Sequence, residues 1–204
     1  MEKGKFIELI HRQAVQNGIG IPDDDKRITL NQTELAIDNL YSDMLAMVVK
    51  KSSDLDFFAK NYNNISILKD STAKQYYSTL PISVIQLPNN AGIRLIRGQG
   101  SNHKFIPADN EKIDLYEDMD FNKYYDHTFF LMEGMTKVRY INFDYASLNI
   151  RFVNMKVIPT FLSYAWTDDI PFPSGKLTEF TDIVAKSLFQ SKKFLDTSAD
   201  GVSQ

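Results

Sequence analysis

The chain has 204 residues, of which 43% are hydrophobic and 24% charged, and its formal net charge is −3. These values are typical of a globular protein with its own core, and no apolar run approaches the ~20 residues of a membrane-spanning helix. The first residues lack the apolar run and cleavage site of a signal peptide. The chain contains no cysteine, which excludes disulfides, cysteine-bound zinc, iron–sulfur clusters and thiol catalysis. The near-neutral charge argues against broad nucleic-acid binding, because such binding depends on neutralising phosphates.

The N-terminal third carries two helical patterns. The first helix is predicted from apolar residues that share one helix face, namely Phe6, Ile7, Ile10 and Ala14. The second helix is predicted from about Gln32 to Lys51 and has a wide apolar stripe. Asn31 and Glu34 have the spacing of a capping box, and Leu30 and Leu35 have that of a hydrophobic staple.

The middle of the chain has a hydrophobic period close to two, and turn residues return at short intervals, which is typical of short strands. Candidate strands are 65–68, 75–79, 82–87, 93–97, 129–132, 136–143, 148–152 and 155–164. Turn residues between them predict turns at Pro88–Gly92, Asp144–Ser147 and Val153-Asn154.

The C-terminal section begins with a polar turn, Thr167–Pro173, whose prolines end the strand pattern. Ser174 is a candidate cap for a helix that should fade near Lys193. Its apolar face consists of Leu177, Phe180, Ile183, Val184 and Leu188. Residues 195–204 are mostly small and polar, which predicts a flexible C-terminal arm.

This order of elements predicts an α+β fold. We expect N-terminal helices and a C-terminal helix packed with a central antiparallel β region, either a small barrel or a sandwich. Residues 1–194 should form a single domain, with residues 195–204 as the arm.

Several residue groups have the composition of a chemical site. Asp23–Asp25, Glu117–Asp120 and Asp168-Asp169 group carboxylates as calcium and magnesium sites do, but they lack the EF-hand pattern, so solvated loops are predicted. Gly98–Ser101 follows Arg94 and Arg97 and has the glycines of a phosphate-binding loop. The lysine–serine ending of such a loop is absent, and a hairpin turn is predicted instead.

The three histidines are His11, His103 and His127. They do not belong to a Ser–His–Asp order or to a His-x-x-x-His pair. No nucleophile, base and oxyanion donor can be assembled from the chain. We therefore predict no catalytic residue, no metal and no cofactor, and we favour a structural or interaction protein over an enzyme.

The aromatic residues comprise 10 Tyr and 14 Phe but a single Trp, and many stand in adjacent pairs. The aromatic residues singled out are Phe57, Phe58, Tyr62, Tyr76, Tyr77, Tyr124, Tyr125, Phe129 and Phe130, all of which except Tyr62 stand in adjacent pairs. Neighbouring residues of a strand point to opposite faces, so one ring of each pair should enter the core. The other ring is available for a subunit contact, which we favour, or for base stacking on single-stranded nucleic acid.

In the second half, strand-like segments lead into an acidic turn, a proline step and an amphipathic helix. The segments are Tyr140–Asp144, Leu148–Phe152, Met155–Thr160, Asp168–Pro173 and Leu177–Leu188. In this order they resemble the head-to-tail adaptor, or connector, proteins of tailed bacteriophages. Ile158-Pro159 and Ile170-Pro-Phe-Pro173 match the Ile-Pro strand end and the proline step of that family. Upstream, Tyr76–Pro81 and Ile85–Asn89 resemble virion proteins of short-tailed phages, including crAss-like phages of gut Bacteroidetes. The resemblance spans about residues 75–195.

The resemblance implies a non-enzymatic structural protein that is made in the host cytoplasm and resides in the neck or upper tail of the virion. It would form an oligomeric ring of about twelve copies between portal and tail, through which DNA passes during ejection without sequence-specific binding. Its partners would be the portal protein, other tail ring proteins and copies of itself, with no membrane. The implied portal-docking arm contains Phe194, Leu195, Asp196, Thr197 and Val202. The alternatives are another ring of the tail hub and a single-stranded nucleic-acid-binding protein.

Overall fold

A computed structural model describes residues 1–14, 29–51, 55–71, 75–118, 127–172 and 177–199. Within these ranges the chain forms five α-helices and eight β-strands, so the predicted α+β class is confirmed. The helices are α1 (Lys3–Ala14), α2 (Leu30–Lys51), α3 (Ile113–Asp118), α4 (Tyr145–Leu148) and α5 (Leu177–Ala199). The strands are β1 (Lys60–Ser66), β2 (Leu68–Lys69), β3 (Tyr76–Thr79), β4 (Ile93–Gly98), β5 (Lys104–Pro107), β6 (His127–Glu133), β7 (Lys137–Ile141) and β8 (Phe152–Val157).

The chain divides into two compact units. We call residues 1–44 together with 164–204 the helical unit, and residues 45–163 the barrel unit.

The core of the helical unit contains the apolar faces predicted for α1 and α5. Phe6, Ile7, Ile10 and Ala14 are all buried on α1, and Phe180, Val184 and Leu188 are buried on α5. Ile183, which was assigned to the same α5 face, is exposed instead.

The proline step supplies the ring that joins these helices. The Phe172 ring lies 4.9 Å from that of Phe6, 5.1 Å from that of Phe180 and 5.8 Å from that of Tyr41. Tyr41 is fully buried, and burial together with the neighbouring Tyr164 raises the pKa of its hydroxyl. The Ile170–Phe172 segment therefore anchors the helical unit rather than merely ending a strand.

The start of α2 corrects the predicted cap. The Thr29 hydroxyl accepts a hydrogen bond from the Gln32 amide, and the Gln32 side chain accepts one from the Thr29 amide. This reciprocal pair is a capping box, displaced by two residues from the predicted Asn31 and Glu34. Leu30 and Leu35 are both exposed, so they do not form the buried contact of a hydrophobic staple.

The eight strands form one mixed, nearly closed, barrel-like sheet in the order β1-β8-β4-β5-β6-β7-β3-β2. All neighbouring pairs are antiparallel except β5 and β6, which are parallel. The predicted antiparallel region is correct apart from this pair. Only Ile67 separates β1 from β2 along the chain, so the two end strands of the sheet are consecutive.

A chain of side-chain hydrogen bonds crosses the seam between the two ends of the sheet. The Tyr140 hydroxyl on β7 donates to the Ser78 hydroxyl on β3 at 2.9 Å. Ser78 in turn donates to the carbonyl of Ser66 at the end of β1, also at 2.9 Å. Ser78 is fully buried, and burial raises the pKa of Tyr140, so both hydroxyls remain neutral donors.

Three strand predictions fail in whole or in part where prolines or caps intervene. Residues 82–87 form no strand but only an isolated bridge between Val84 and Pro159. Residues 148–152 and 155–164 give one strand, β8, so the turn predicted at Val153-Asn154 lies inside it. The Asp144 carboxylate caps α4 by accepting the amides of Ala146 and Ser147. Hydrogen bonds from the Ser147 side chain, from its amide and from the Ala146 amide lower the pKa of Asp144. Strand structure begins only at Phe152.

Strand β5 was not predicted, and the predicted strand 65–68 covers only the end of β1 and the start of β2. Strand β5 is only four residues long and ends in a proline, so it lacks the alternation that marks a strand in sequence. The predicted Pro88–Gly92 turn forms a short 3-10 turn. A side chain at Gly92 would place its Cβ 2.1 Å from the carbonyl oxygen of Ile85, which only glycine avoids.

The barrel unit has a continuous apolar core inside the sheet. Five aromatic rings cluster there, with Phe143 within 6.3 Å of each of the others. These rings are Tyr76, Phe105, Tyr140, Phe143 and Tyr145. Such ring pairs add specific attraction to the burial of their area.

Candidate functional site

The residues predicted as a portal-docking arm do not begin a separate segment. Helix α5 continues through Phe194, Leu195, Asp196 and Thr197 to Ala199, beyond the expected end near Lys193. Val202 lies outside the described residues. The predicted cap at Ser174 lies outside them too.

The carboxylates of Asp168 and Asp169 serve structural roles. Asp169 forms an ion pair with the N-terminal amine at 3.2 Å, and Asp168 accepts the amide of Ala165. Asp23–Asp25 and Asp120 lie outside the described residues. Across the described ranges, no three potential metal-ligating side chains come together.

The glycine loop is the predicted turn between antiparallel strands β4 and β5. Gly100 has a φ of +72°, a conformation that glycine adopts without strain. The Ser101 hydroxyl accepts the amide of His103. The loop thus uses its polar groups to shape the connection.

The histidines are distributed over different environments. His11 of the helical unit lies 3.4 Å from the Thr33 hydroxyl. In the barrel unit, His103 is buried and shares a 2.7 Å hydrogen bond with the Thr128 hydroxyl. His127 stands opposite Lys104 in the parallel β5–β6 register. The buried His103 ring also packs edge-on against Phe105, which marks it as a core residue.

The predicted division of a strand pair between two faces is confirmed for Phe129-Phe130. Phe130 is buried in the core, whereas its neighbour Phe129 stacks on Tyr116 of α3 at 4.3 Å on the other side of the sheet. Phe58 is buried and Phe57 exposed. Tyr124 and Tyr125 lie outside the described residues.

A basic surface emerges from the sheet order and was not foreseen. The neighbouring strands β1, β8, β4 and β5 together contain five Lys or Arg residues and no Asp or Glu. These cations are Lys60, Arg94, Arg97, Lys104 and Lys156. In sequence they are spread over nearly one hundred residues, so only the strand order brings them together.

Strand alternation places three of these cations on the outer side of the sheet. Arg97 follows the buried Ile96, Lys104 precedes the core ring Phe105, and Lys156 lies between buried residues. We call the outer side of β1, β8, β4 and β5, with Arg97, Lys104 and Lys156, the basic face.

The register sets the spacing of charge on the basic face. Arg97 stands directly opposite Lys104 across β4 and β5 and opposite Asn154 across β4 and β8. Lys156 lies two residues beyond Asn154 and is therefore the diagonal neighbour of Arg97. Diagonal positions of neighbouring strands are about 7–8 Å apart.

One carboxylate borders the basic face. Asp56 accepts hydrogen bonds from Lys156 at 2.7 Å and from Arg94 at 3.2 Å. These two contacts, first Lys156 and then Arg94, lower the pKa of Asp56. Two cations from different strands, Lys156 of β8 and Arg94 of β4, therefore share this carboxylate.

A second surface feature is Trp166, the only tryptophan in the sequence. Its side chain is 47% exposed in the helical unit. The Gly4 amide donates to the Trp166 carbonyl at 2.9 Å, and a Cβ at Gly4 would lie 2.7 Å from the indole ring. Glycine at this position therefore lets the ring rest on α1, so the indole is held in place while nearly half exposed.

Within the described ranges, no helix combines the length and the apolar character needed to cross a bilayer. Comparison with known proteins finds no family model and no curated protein that matches the sequence.

Proposed function

We propose that this protein is a structural component of a bacteriophage virion, a head-to-tail adaptor that forms a ring between portal and tail. The ring would surround the DNA channel in the neck or upper tail. The order of strands, acidic turn, proline step and helix that resembles the adaptor family motivates this proposal.

The observation that carries the proposal is the half-exposed, firmly held indole of Trp166. Tryptophan is enriched among the few residues that dominate binding energy at protein interfaces. An indole that is already immobilised on α1 loses little further freedom on binding. Trp166 also lies in the turn just before the proline step, within the segment that carries the resemblance.

Other exposed apolar residues supply a different surface on the barrel unit. Met135 and Leu162 are exposed. The Val84 amide donates to the Met135 carbonyl, and the Thr160 amide to the Ser83 carbonyl, so both loops border the same short segment. A ring requires a head-to-tail contact between two different surfaces, and one surface on each unit satisfies that requirement.

The C-terminal end of α5 is the proposed portal contact. Phe194 and Leu195 stand on this helix, so docking would use a helical segment rather than an extended arm. A helix presents side chains with less ordering cost than a disordered segment does.

The test is co-sedimentation of the full chain with the portal protein of the same virus. Trp166→Ala should weaken ring assembly on the portal about tenfold or more, as expected for an interface anchor. The matched control is Leu35→Ala, because Leu35 is 55% exposed on the same unit. Portal attachment of Trp166→Ala at the wild-type level, with thermal melting unchanged, would contradict the role of Trp166.

Removal of residues 195–204 tests the portal contact separately. The truncated protein should melt like the full chain and attach to the portal more weakly. Normal attachment of the truncated protein would show that the C-terminal end of α5 is not the docking element.

A further inference from the structure

We infer that the basic face, the outer side of β1, β8, β4 and β5, contacts the phosphate backbone of duplex DNA. The choice of duplex DNA as the occupant rests on the proposed function, since a ring around the DNA channel must turn one surface toward that polymer. The charge pattern that supports the contact is independent of the ring.

The first step concerns charge segregation. The whole chain carries a net charge of −3, yet four adjacent strands carry cations and no acidic residue. Clustering of Lys and Arg on one face is the electrostatic signature of nucleic-acid contact. The near-neutral net charge of the whole chain conceals this cluster of cations.

The second step concerns the cost of this arrangement. Arg97 and Lys104 stand directly opposite each other and are both exposed. Like charges at directly opposite positions destabilise a sheet. In the part of the chain that the structure describes, neither side chain forms an ion pair. An external polyanion would supply the missing counter-charge.

The third step distinguishes duplex DNA from single-stranded nucleic acid and from a protein partner as the occupant of the basic face. Non-specific single-strand binding relies on several stacked aromatic rings, but Phe152 is the only aromatic side chain that the strand alternation places on the basic face. Tyr62 and Phe105 of the same strands pack against the core. Protein interfaces are depleted in lysine, whereas two of the three outward cations are lysines. Duplex phosphates need only cations.

Two exposed cations that form no ion pair within the described residues define the expected strength, namely Arg97 and Lys104. Each neutralised phosphate contributes about 0.9 to the salt slope of duplex binding. Affinity should therefore fall about 12-fold between 50 and 200 mM salt.

The experiment is a fluorescence anisotropy titration of a labelled 30-bp duplex with the full chain at both salt concentrations. Arg97→Ala combined with Lys104→Ala should reduce the fall with salt from about 12-fold to less than about twofold. This double variant should fold at least as stably as the wild type, since it removes a like-charge pair. The matched control combines Lys5→Ala with Lys186→Ala, two exposed lysines of the helical unit, and should keep the wild-type salt dependence.

Three results would overturn the inference. The first is no duplex binding by the wild type at 50 mM salt. The second is an equal loss of salt dependence in the double variant and in the control. The third is binding of a single-stranded 30-mer at least tenfold more tightly than the duplex. Because the titration contains no portal protein, its outcome is separate from that of portal attachment. If the wild-type chain binds duplex DNA but does not attach to the portal, the ring proposal is rejected and the DNA contact of the basic face stands.

Discussion

At the scale of single residues, Lys3 shows how position in the fold overrides residue type. Lysine near a helix start is expected at the surface, yet Lys3 is only 2% exposed. Its ammonium pairs with Glu34 at 2.6 Å and donates to the carbonyl of Tyr164 at 2.9 Å. A buried charge requires such partners, because an unpaired one carries a large desolvation cost.

We therefore expect Lys3→Ala to lower the free energy of unfolding by about 3 kcal/mol, since it leaves the Glu34 carboxylate without its partner. Urea denaturation followed by circular dichroism measures this difference. Lys5→Ala is the control, because Lys5 is exposed and its contact with Glu2 is a surface ion pair. It should change stability by less than about 1 kcal/mol. Equal effects of the two substitutions would refute the assigned role of Lys3.

Residue burial was predictable where it follows periodicity. Phe6, Ile7 and Ile10 have helical spacing and are buried. Lys3 and Ser78 were not predictable, because their partners belong to other elements. Lys3 contacts Glu34 on α2 and the Tyr164 carbonyl, and Ser78 bonds to groups on neighbouring strands. Sequence pattern reports which face is apolar but not which polar group will find a buried partner.

At the scale of elements, α2 illustrates the limit of boundary prediction. Thr29-Leu-Asn-Gln32 and Asn31-Gln-Thr-Glu34 both have capping-box spacing. Helix α2 begins at the first of these signals because Thr29 and Gln32 exchange hydrogen bonds reciprocally, whereas the Glu34 carboxylate pairs with Lys3. A tertiary contact thus determines which of two local signals is used.

Thr29→Ala should destabilise the protein by about 1 kcal/mol, as expected for loss of an N-cap. Asn31→Ala is the matched control and should have an effect within about 0.5 kcal/mol, because Asn31 is exposed inside the first turn. Thermal unfolding of both variants distinguishes the two caps. A larger loss of stability for Asn31→Ala than for Thr29→Ala would identify Asn31 as the N-cap instead.

The seam of the sheet gives a second prediction at this scale. Ser78→Ala removes both hydrogen bonds of the chain from Tyr140 to the Ser66 carbonyl. It should destabilise the protein by about 2 kcal/mol, because buried polar groups lose their partners. Amide hydrogen exchange should accelerate at Ile67, whose amide donates to the Arg151 carbonyl beside the seam.

Thr79→Ala is the control for the seam, since Thr79 is exposed on the same strand. It should leave both stability and the exchange rate of Ile67 close to those of the wild type. If Ser78→Ala has no larger effect than Thr79→Ala, the hydrogen-bond chain does not contribute to closure.

At the scale of the whole molecule, the α+β class and most of the element order could be predicted from hydrophobic periods. The division into two units and the strand order could not, because long-range pairing leaves no local pattern. Strand β8, late in the chain, lies between β1 and β4. The basic face exists only through that order, so a candidate surface was hidden in a sequence with unremarkable net charge.

The proposed adaptor role combines these scales. Gly4 and Trp166 provide a packed aromatic side chain, Phe172 packs the proline step against the helices, and the basic face carries the exposed cations that we propose contact DNA. A ring subunit needs subunit contacts and a surface compatible with the DNA channel, and these features supply candidates for both.

The most direct measurement is cryo-electron microscopy of the full chain assembled with the portal protein of the same virus. We expect a closed ring of about twelve copies on the portal, with the C-terminal end of α5 at the portal contact and the basic face toward the channel. A portal that remains bare at saturating concentrations of the chain would contradict the adaptor proposal.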